Sequence, residues 1–253
     1  MPRPKLGQHF LIQNSILERI AVTACPTPED LVVEIGPGRG ALTQRLLRRA
    51  ARVVAVELDP SLVEHLRRRF SGEPRLHVVE ADVLKTDLAQ WGRGPVAGNL
   101  PYYITSPILE KVVALDVPRA VFLIQKEVAQ RLVAQPGGRD YGLLTVHVAL
   151  FARTRLCFEV KPSAFRPPPR VDSAVVLIEP RRPPDISDPA RFLEFVGQCF
   201  RHKRKILRNN LAEVYGKKLV DAWPEAGLRA EQLSLEQFAE MYRRITPPPA
   251  APA

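Results

Sequence analysis

The chain has 253 residues, and its 37 Lys and Arg exceed its 27 Asp and Glu by 10. This length allows a substantial core, and the absence of any run approaching about 18 apolar residues or of a signal-peptide core leads us to expect a cytoplasmic protein without a membrane span. The excess positive charge favours a polyanionic partner, with a solvated basic surface as the alternative.

The cysteines and histidines show no spacing typical of a metal site or a disulfide framework. Cys25, Cys157 and Cys199 are far apart, odd in number and in no CxxC pair. The five His form no ligand pattern. We therefore expect no zinc and no disulfides.

The first 180 residues predict alternating strands and helices. An initial helix, with Ser15 and Glu18 placed to form a capping box, precedes the apolar run Leu31–Ile35, which predicts a buried parallel strand. A glycine-rich loop and a helical stretch come next. Further strands are predicted at 53–58, 76–81, 96–99, 120–124, 145–151 and 173–179. This alternation predicts an α/β doubly wound, mostly parallel sheet, with room for an antiparallel edge.

A second, helical domain is predicted after a Pro-rich linker at 180–189. Ser234 and Gln237 are placed to cap the last helix. The apolar faces of two helices consist of Phe192, Phe195, Val196 and Cys199, and of Leu235, Phe238, Ala239 and Tyr242. We therefore predict a main domain over 1–180 and a small all-helical domain over 181–253, whose ending, PPPAAPA, is disordered.

The loop after the first strand predicts a cofactor site. Glycines 36, 38 and 40 allow close backbone approach to a ligand, with a tight strand-to-helix turn as the alternative. Glu57, 21 residues after Gly36, ends the second strand and is placed to bind ribose hydroxyls. Asp82 and Asn99 end the next two strands, so these positions should line one cleft. Glu34 is either a further cofactor contact or a structural hydrogen-bond acceptor.

The spacing of the glycines indicates which cofactor this loop suits. A dinucleotide fingerprint is G-x-G-x-x-G, whereas here the third Gly comes one residue early and Pro37 separates the first two. Nicotinamide cofactors are therefore disfavoured. An adenosine ligand without a pyrophosphate fits better, which favours S-adenosylmethionine.

The segment GNLPYYITSPIL, residues 98–109, predicts a pocket for a planar amine. The side-chain oxygen of Asn99 and the backbone carbonyl of Leu100 can accept the two N–H groups of an exocyclic adenine amine, which favours a localised nitrogen lone pair. Pro101 restricts Leu100 to an extended conformation, and Tyr102 offers a face for base stacking. In-line methyl transfer would then need positioning and electrostatics rather than a strong general base. A simple turn is the alternative.

Eight segments in order along the chain resemble the KsgA family of ribosomal RNA adenine dimethyltransferases. They are GQHFL (7–11), VVEIGPGRGALT (32–43), VELD (56–59), EADVL (80–84), GNLPYYITSPIL (98–109), YGLLTV (141–146), FRPPPRVDSAV (165–175) and RHKRKILRNNL (201–211). The resemblance implies a Rossmann-like, S-adenosylmethionine-dependent methyltransferase fold with a seven-stranded, mostly parallel sheet. It also implies dimethylation of two adjacent adenosines in the hairpin loop near the 3′ end of 16S rRNA, within an immature 30S subunit. We expect a monomer.

The resemblance also assigns roles to individual residues. The implied cofactor contacts are His9, Leu11, Gly36, Gly38, Glu57, Asp82 and Asn99, with Asp82 on the adenine amine. The implied catalytic residues are Asn99, Leu100, Pro101, Tyr102 and Phe165. Phe165 would close on the target base from the side opposite Tyr102, with a buried structural Phe as the alternative. The helical domain would bind RNA through Arg201, Lys203, Arg204 and Lys205, with an exposed charged turn as the alternative.

Three other functions are weighed against this one. Erythromycin-resistance methyltransferases, which act on 23S rRNA, typically have Ile before the motif's Pro and lack a Pro at position 107, so Leu100 and Pro107 favour the small-subunit family. A non-enzymatic assembly factor with a relict pocket is disfavoured by intact Glu57 and Asp82. DNA or protein amine methyltransferases typically carry DPPY or NPPY instead of NLPY.

Overall fold

A computed structural model describes residues 9–182 and 184–245 of the chain. The chain forms two compact units. One comprises the chain up to Gln130 together with Arg153–Pro180, and the other comprises Arg131–Ala152 together with the chain from Arg181 onward. The tail at 247–253 that was predicted to be disordered lies outside the described residues.

The first unit contains a two-stranded and a seven-stranded sheet. The strands are β1 (Phe10–Leu11), β2 (Glu29–Ile35), β3 (Ala50–Glu57), β4 (Leu76–Glu80), β5 (Val96–Asn99), β6 (Ala120–Gln125), β7 (Ala152–Val160), β8 (Phe165–Arg166) and β9 (Ser173–Pro180). The helices are α1 (Asn14–Ala24), α2 (Thr43–Leu46), α3 (Pro60–Arg69), α4 (Thr105–Val113) and α5 (Lys126–Leu132).

The large sheet has the strand order β4-β3-β2-β5-β6-β9-β7. Strands β2 to β6 pair in parallel, and β9 is antiparallel to β6. The last five residues of β2 are all buried, as expected for a central strand covered on both faces. This architecture is the predicted Rossmann-like α/β fold with a mostly parallel, seven-stranded sheet. It brings the carboxyl ends of β2, β3 and β5 to one edge.

One predicted strand is wrong. Residues 145–151 lie in helix α6 (Leu143–Phe151), and the strand β7 that follows was not predicted. An apolar run such as LLTVHVALF has no distinct period, so its pattern alone does not separate a buried strand from a buried helix. Locally, the Thr145 hydroxyl accepts from Gly142 N at 3.1 Å and donates to Arg131 O at 2.7 Å, which fixes the start of the helix.

The second unit is helical and has its own core. Besides α6 it contains α7 (Pro189–Cys199), α8 (Leu207–Tyr215), α9 (Lys217–Asp221) and α10 (Leu235–Ile245). The predicted apolar faces of α7 and α10 are both buried in this core.

The two predicted helix caps had different outcomes. The Ser234–Gln237 capping box is confirmed, with Ser234 N donating to Gln237 Oε1 at 2.9 Å and Gln237 N to Ser234 Oγ at 3.2 Å. The Ser15–Glu18 box is wrong, because α1 begins at Asn14 with Gln13 as its N-cap, and Glu18 pairs with Arg49 at 3.3 Å.

The domain boundary proposed at 180 coincides with one point at which the chain passes between the units. Residues 131–152, however, belong to the helical unit, whereas the prediction placed them in the sheet domain. Tyr141, Val146 and Leu150 belong to the same hydrophobic cluster as the α7 and α10 side chains. This packing, which involves residues distant in sequence, left no signal in the local pattern. None of the helices among the described residues is long and apolar enough to cross a membrane.

Candidate active site

A cavity of about 370 Å³ lies at the carboxyl ends of β2, β3 and β5. Its walls include residues 9–12, the glycine loop, Glu57 and residues 99–102, together with side chains of α1, α2 and α3 and Arg166. The predicted site residues that line it are His9, Leu11, Gly36, Gly38, Glu57, Asn99, Leu100, Pro101 and Tyr102. Residues from four separate sequence segments therefore meet in one place.

The glycine loop forms a cradle that side chains would fill. Gly36 and Gly38 have φ angles of +65° and +57°, in the left-handed region that favours glycine. A Cβ atom on Gly38 would lie 3.1 Å from the Phe10 ring, which packs against the loop. The absence of a side chain at this position thus lets both the aromatic ring and a ligand approach the backbone.

Glu57 is fixed at the cavity wall by backbone amides. Its Oε1 accepts from Leu58 N at 2.9 Å and Asp59 N at 3.0 Å, and its Oε2 accepts from Gly38 N at 3.1 Å. Burial raises the pKa of this carboxyl, and the three amide hydrogen bonds oppose that shift. Because a carboxylate has about four acceptor sites, the group retains capacity for a ligand hydroxyl.

Glu34 is the second carboxyl of the cavity and is 1% exposed. Its Oε2 accepts from the Thr43 hydroxyl at 2.6 Å. Burial raises its pKa to about 8, and the nearby negative charge of Glu57 adds to this effect. A cationic ligand in the cavity would lower that pKa, because an opposite charge favours the ionised carboxylate.

Asn99 has a defined amide orientation. Its Nδ2 donates to the backbone carbonyl of His9 at 2.9 Å. With the amino group committed to this carbonyl, the amide oxygen Oδ1 remains as the acceptor at the opposite end of the side chain. The orientation needed to accept an N–H group from a ligand is therefore set by the protein.

His9 connects three of the motifs found in the sequence. Besides accepting from Asn99, it is bonded through its Nδ1 to the carbonyl of Pro167 at 2.8 Å. Its ring lies 5.7 Å from the Tyr102 ring, centroid to centroid, at 31°. Tyr102 is held in turn by a 2.8 Å hydrogen bond between its hydroxyl and Ser173 Oγ, and burial raises the pKa of its phenol.

The short turn after β5 is anchored on both sides. Leu100 is 2% exposed, and its N–H donates to Leu123 O at 3.0 Å, which continues the pairing of β5 with β6. The Thr105 hydroxyl donates to Pro101 O at 3.0 Å. Tyr103, by contrast, is 58% exposed. Leu100, Pro101 and Tyr102 thus form a fixed wall, whereas Tyr103 projects into solvent.

Two predicted site residues lie outside the cavity wall. Phe165 is 2% exposed and packs in the core, where it pairs with Leu11 across β1 and β8. Arg166, the other residue of β8, lines the cavity, whereas Phe165 does not. Asp82 is half-buried at the end of β4, and its Oδ1 accepts from Leu84 N at 2.9 Å.

The predicted RNA-binding residues of the second unit form an exposed turn at 201–205. Arg201 lies 3.9 Å from Glu213, and Lys203 donates to Arg139 O at 2.7 Å. In the part of the chain that the structure describes, no carboxylate forms an ion pair with Arg204 or Lys205. The four residues therefore divide into two with protein partners and two without an acidic partner.

Asn210 holds the shape of this basic turn. It is 3% exposed, and its Nδ2 donates to Cys199 O at 2.7 Å and to His202 O at 3.3 Å. These carbonyls belong to the end of α7 and to the turn itself. The buried side-chain amide of Asn210 thus fixes the conformation of the turn.

The cavity wall also includes residues that the sequence analysis did not single out, among them Phe10, Arg39 and Arg166. All three lie within segments quoted for other reasons: Phe10 in GQHFL, Arg39 in the glycine loop and Arg166 before the Pro run. Strand alternation in the segment FR would have distinguished the direction of Arg166 from that of Phe165, had the two-residue strand been foreseen.

The chemistry available to this site is binding and orientation. Among the described residues, no group of three or more His, Cys, Asp and Glu could hold a metal ion. The cavity offers two buried carboxyls, one oriented amide and an aromatic ring. This set suits a cationic adenosine-containing ligand beside a planar amine.

Comparisons with known proteins agree with this geometry. Residues 2–246 match the family model described as ribosomal RNA adenine dimethylase. The chain is 42% identical to the ribosomal RNA small subunit methyltransferase A of Acidobacterium capsulatum, covering 96% of this chain and 91% of that protein.

Two solved structures are similar over nearly the whole chain. A dimethyladenosine transferase from Plasmodium falciparum has a TM-score of 0.80 at 26% identity, covering 94% of this chain and 98% of that one. The 23S rRNA methyltransferase ErmE has a TM-score of 0.69 at 31% identity, covering 91% of this chain and 98% of that one.

Proposed function

The chain belongs to the ribosomal RNA adenine dimethylase family and is an S-adenosylmethionine-dependent rRNA adenine methyltransferase, and from that premise we propose its substrate and the roles of its residues. The proposed substrate is 16S rRNA within an immature 30S subunit. The proposed product carries two methyl groups on each of two adjacent adenosines in the 3′-terminal hairpin loop.

The choice of the small subunit rests on sequence features of this chain. Leu100 and Pro107 are the residues typical of small-subunit enzymes at positions where erythromycin-resistance enzymes differ. The relative from Acidobacterium capsulatum, named as a small-subunit methyltransferase, supports the same choice. We further propose that the protein acts in the cytoplasm as a monomer.

The glycine cradle and the two carboxyls fit the cofactor. Glu57 would accept hydrogen bonds from the ribose hydroxyls, since its carboxylate is already aimed at the cradle by Gly38 N. His9 and Leu11 line the same cavity, and Asp82 would accept from the adenine amine beyond it. Buried Glu34 would favour the cationic methionine end of the ligand. When bound, S-adenosylmethionine supplies an electrophilic methyl group.

Asn99 carries the proposed catalytic step. Its oriented Oδ1 and the Leu100 carbonyl would accept the two N–H groups of the target adenine amine and so favour a nitrogen with a localised lone pair. Tyr102 would stack on the base, a contact worth about 1–3 kcal/mol, which offsets much of the cost of unstacking the adenosine. The observation that carries this proposal is the 2.9 Å bond from Asn99 Nδ2 to His9 O, which fixes the acceptor before substrate arrives.

His9 would act as a positioning residue for Asn99. Its carbonyl orients the Asn99 amide, while its Nδ1 bond to Pro167 O holds the segment that supplies that carbonyl. The imidazole itself would not touch the reacting atoms. Phe165, buried against Leu11, is given no stacking role in this arrangement.

The helical unit would contribute RNA affinity through the turn at 201–205. Arg204 and Lys205 are exposed, and no described carboxylate pairs with them, so they are the members of the predicted set best placed to contact phosphate. Lys203, which donates to Arg139 O, would mainly stabilise the unit.

Transfer of labelled methyl groups tests the proposed substrate. The protein would be incubated with S-adenosylmethionine and either undermethylated small subunits or large-subunit RNA, and the nucleosides analysed by mass. We expect dimethyladenosine only in the small-subunit RNA. Label confined to the large-subunit RNA would assign the protein to the resistance branch, and no label in either would contradict the proposed substrate.

A further inference from the structure

The mouth of the cavity carries two arginines that the proposed function leaves without a role. Arg39 follows Gly38 in the glycine loop, and Arg166 lies in β8. Both line the cavity and both are exposed. Within residues 9–182 and 184–245, no Asp or Glu side chain forms an ion pair with either guanidinium.

Phe10 brings these two arginines together. The Arg39 guanidinium lies over the Phe10 ring, with 4.7 Å between Cζ and the ring centroid. Phe10 and Arg166 are direct cross-strand partners in β1 and β8, so their side chains stand on the same face. The guanidinium groups of Arg39 and Arg166 therefore flank one aromatic ring at the cavity wall.

The other two arginines of the wall have partners. Arg45 donates to Asn14 Oδ1 at 2.9 Å and lies 3.8 Å from Glu18. Arg69 donates to the Arg39 carbonyl at 2.6 Å, which steadies the loop that carries Arg39. Among the described residues, Arg39 and Arg166 are therefore the pair in this wall that can bind an anion without giving up a hydrogen bond or an ion pair.

We propose that Arg39 and Arg166 form a phosphate clamp that binds the RNA backbone beside the target adenosine. The clamp rests on the proposed function, in which the target adenosine is unstacked and its base flips into the cavity. Flipping rotates the base inward about its backbone, so the neighbouring phosphates stay at the mouth, where these guanidiniums lie. Arginine matches a phosphate with two parallel hydrogen bonds, which would also fix the direction in which the strand enters.

The inner charges of the cavity explain why the clamp lies at its mouth. Glu34 and Glu57 sit inside, and the three amides that bind Glu57 hold it at the base of the loop. A polyanionic strand would be repelled by the Glu57 carboxylate and attracted by the outer arginines, whereas Glu34, whose pKa burial raises to about 8, is mostly uncharged near neutral pH. The charge pattern thus admits a base and keeps the backbone outside.

The test compares three double variants of the full chain: Arg39→Gln with Arg166→Gln, Arg39→Lys with Arg166→Lys, and the control Arg48→Gln with Arg93→Gln. The control removes the same charge just before β3 and β5, at the opposite edge of the sheet from the cavity. RNA affinity is measured from low to moderate salt on whichever ribosomal substrate the wild type methylates, and cofactor affinity is measured by calorimetry.

We expect the Gln pair to lose about tenfold in RNA affinity at low salt, and the slope of log affinity against log salt to fall by about 1 to 2. The Lys pair should keep the slope and lose part of the affinity, because it keeps the charge and lacks the fork. The control pair and all cofactor affinities should match wild type.

Two results would overturn the clamp. One is a Gln-pair slope equal to that of the control pair. The other is weaker cofactor binding with intact RNA affinity, which would assign the guanidiniums to the cofactor's carboxylate. A wild-type protein that methylates only large-subunit RNA would refute the proposed substrate and leave the clamp testable on that RNA.

Discussion

The polar groups of the cavity and those of the basic turn at 201–205 are held in different ways. In the cavity, Asn99, Glu57 and Glu34 are each fixed by a short hydrogen bond to a backbone group or to a buried hydroxyl. In the turn, Arg204 and Lys205 are exposed, and the structure pairs them with none of the carboxylates it describes.

This difference predicts two kinds of mutant. Changes in the buried polar groups of the cavity, Asn99, Glu57 and Glu34, should alter turnover or cofactor affinity and be little affected by salt, because these groups are shielded and pre-oriented. Changes in the turn should alter RNA affinity in a salt-dependent way and leave the chemical step intact.

The largest effect on this contrast is expected from Asn99→Ala. It removes the oriented acceptor, so we expect kcat to fall by about 10²- to 10³-fold, while RNA affinity persists. Single-turnover methyl transfer and filter binding measure the two effects. Tyr103→Ala, at an exposed position of the same motif, is the control and should retain most activity. Wild-type turnover in Asn99→Ala would remove Asn99 from the mechanism.

Glu57→Ala should act on the cofactor and not on RNA. Loss of charged acceptors for the ribose hydroxyls should weaken S-adenosylmethionine binding by about 10- to 100-fold, as seen by calorimetry. Glu64→Ala, on the exposed side of α3, is the matched control. An unaltered cofactor affinity in a folded Glu57→Ala protein would contradict the ribose role.

A pair of His9 variants separates its hydrogen bond from its ring contact. His9→Asn keeps a donor near the position of Nδ1, whereas His9→Phe keeps a ring beside Tyr102 and loses the donor to Pro167 O. We expect kcat to fall about three- to tenfold in His9→Phe and to stay near wild type in His9→Asn. The reverse order would show that the ring contact, and not the hydrogen bond, positions Asn99.

The double variant Arg204→Gln with Lys205→Gln tests the basic turn at 201–205. RNA affinity should fall by about fivefold at low salt, and the salt slope by about 1 to 2, with kcat on saturating RNA unchanged. Lys217→Gln with Lys218→Gln removes equal charge from α9 as the control. Equal effects in both pairs would favour a general charge effect over a specific contact.

The pH dependence of folding stability tests whether Glu34 is protonated in its buried position. Its folded-state pKa of about 8 exceeds the ordinary 4.5, so between these values the folded protein holds a proton that the unfolded chain has lost. Stability should therefore fall as pH rises from about 4.5 to 8, by at most about 1.4 kcal/mol per pH unit from this group. Glu34→Gln should flatten the decline of melting temperature over this range. An unchanged pH dependence would show that Glu34 is ionised in the fold.

The sequence predicted the parallel strands well, because continuous apolar runs such as Leu31–Ile35 end at clear turn residues. It also predicted that Glu57 and Asn99 would share a cleft, since they end the parallel strands β3 and β5, which lie on either side of β2. It did not predict the helix at 143–151, because an apolar run without a period fits both structures. The directions of Phe165 and Arg166 depend on a two-residue strand pairing that no local pattern announces.

Glu34 and Asn99 show a further limit of reading a sequence. The residue types were identifiable, but their states depend on Thr43 and on the His9 carbonyl, the latter 90 positions away from Asn99 in the chain. Only the fold brings such partners together. The motifs therefore could not predict the orientation of Asn99 or the burial and raised pKa of Glu34.

The passage of residues 131–152 into the helical unit limits how the protein can be divided. A chain truncated at residue 180 would keep Tyr141, Val146 and Leu150 while losing Phe192 and Phe195, with which they share a core. Such a fragment would expose an apolar surface and invite aggregation. The helical unit therefore cannot be removed by truncating the chain at one point. A separation that preserves both folds must keep residues 131–152 together with the chain from Arg181 onward.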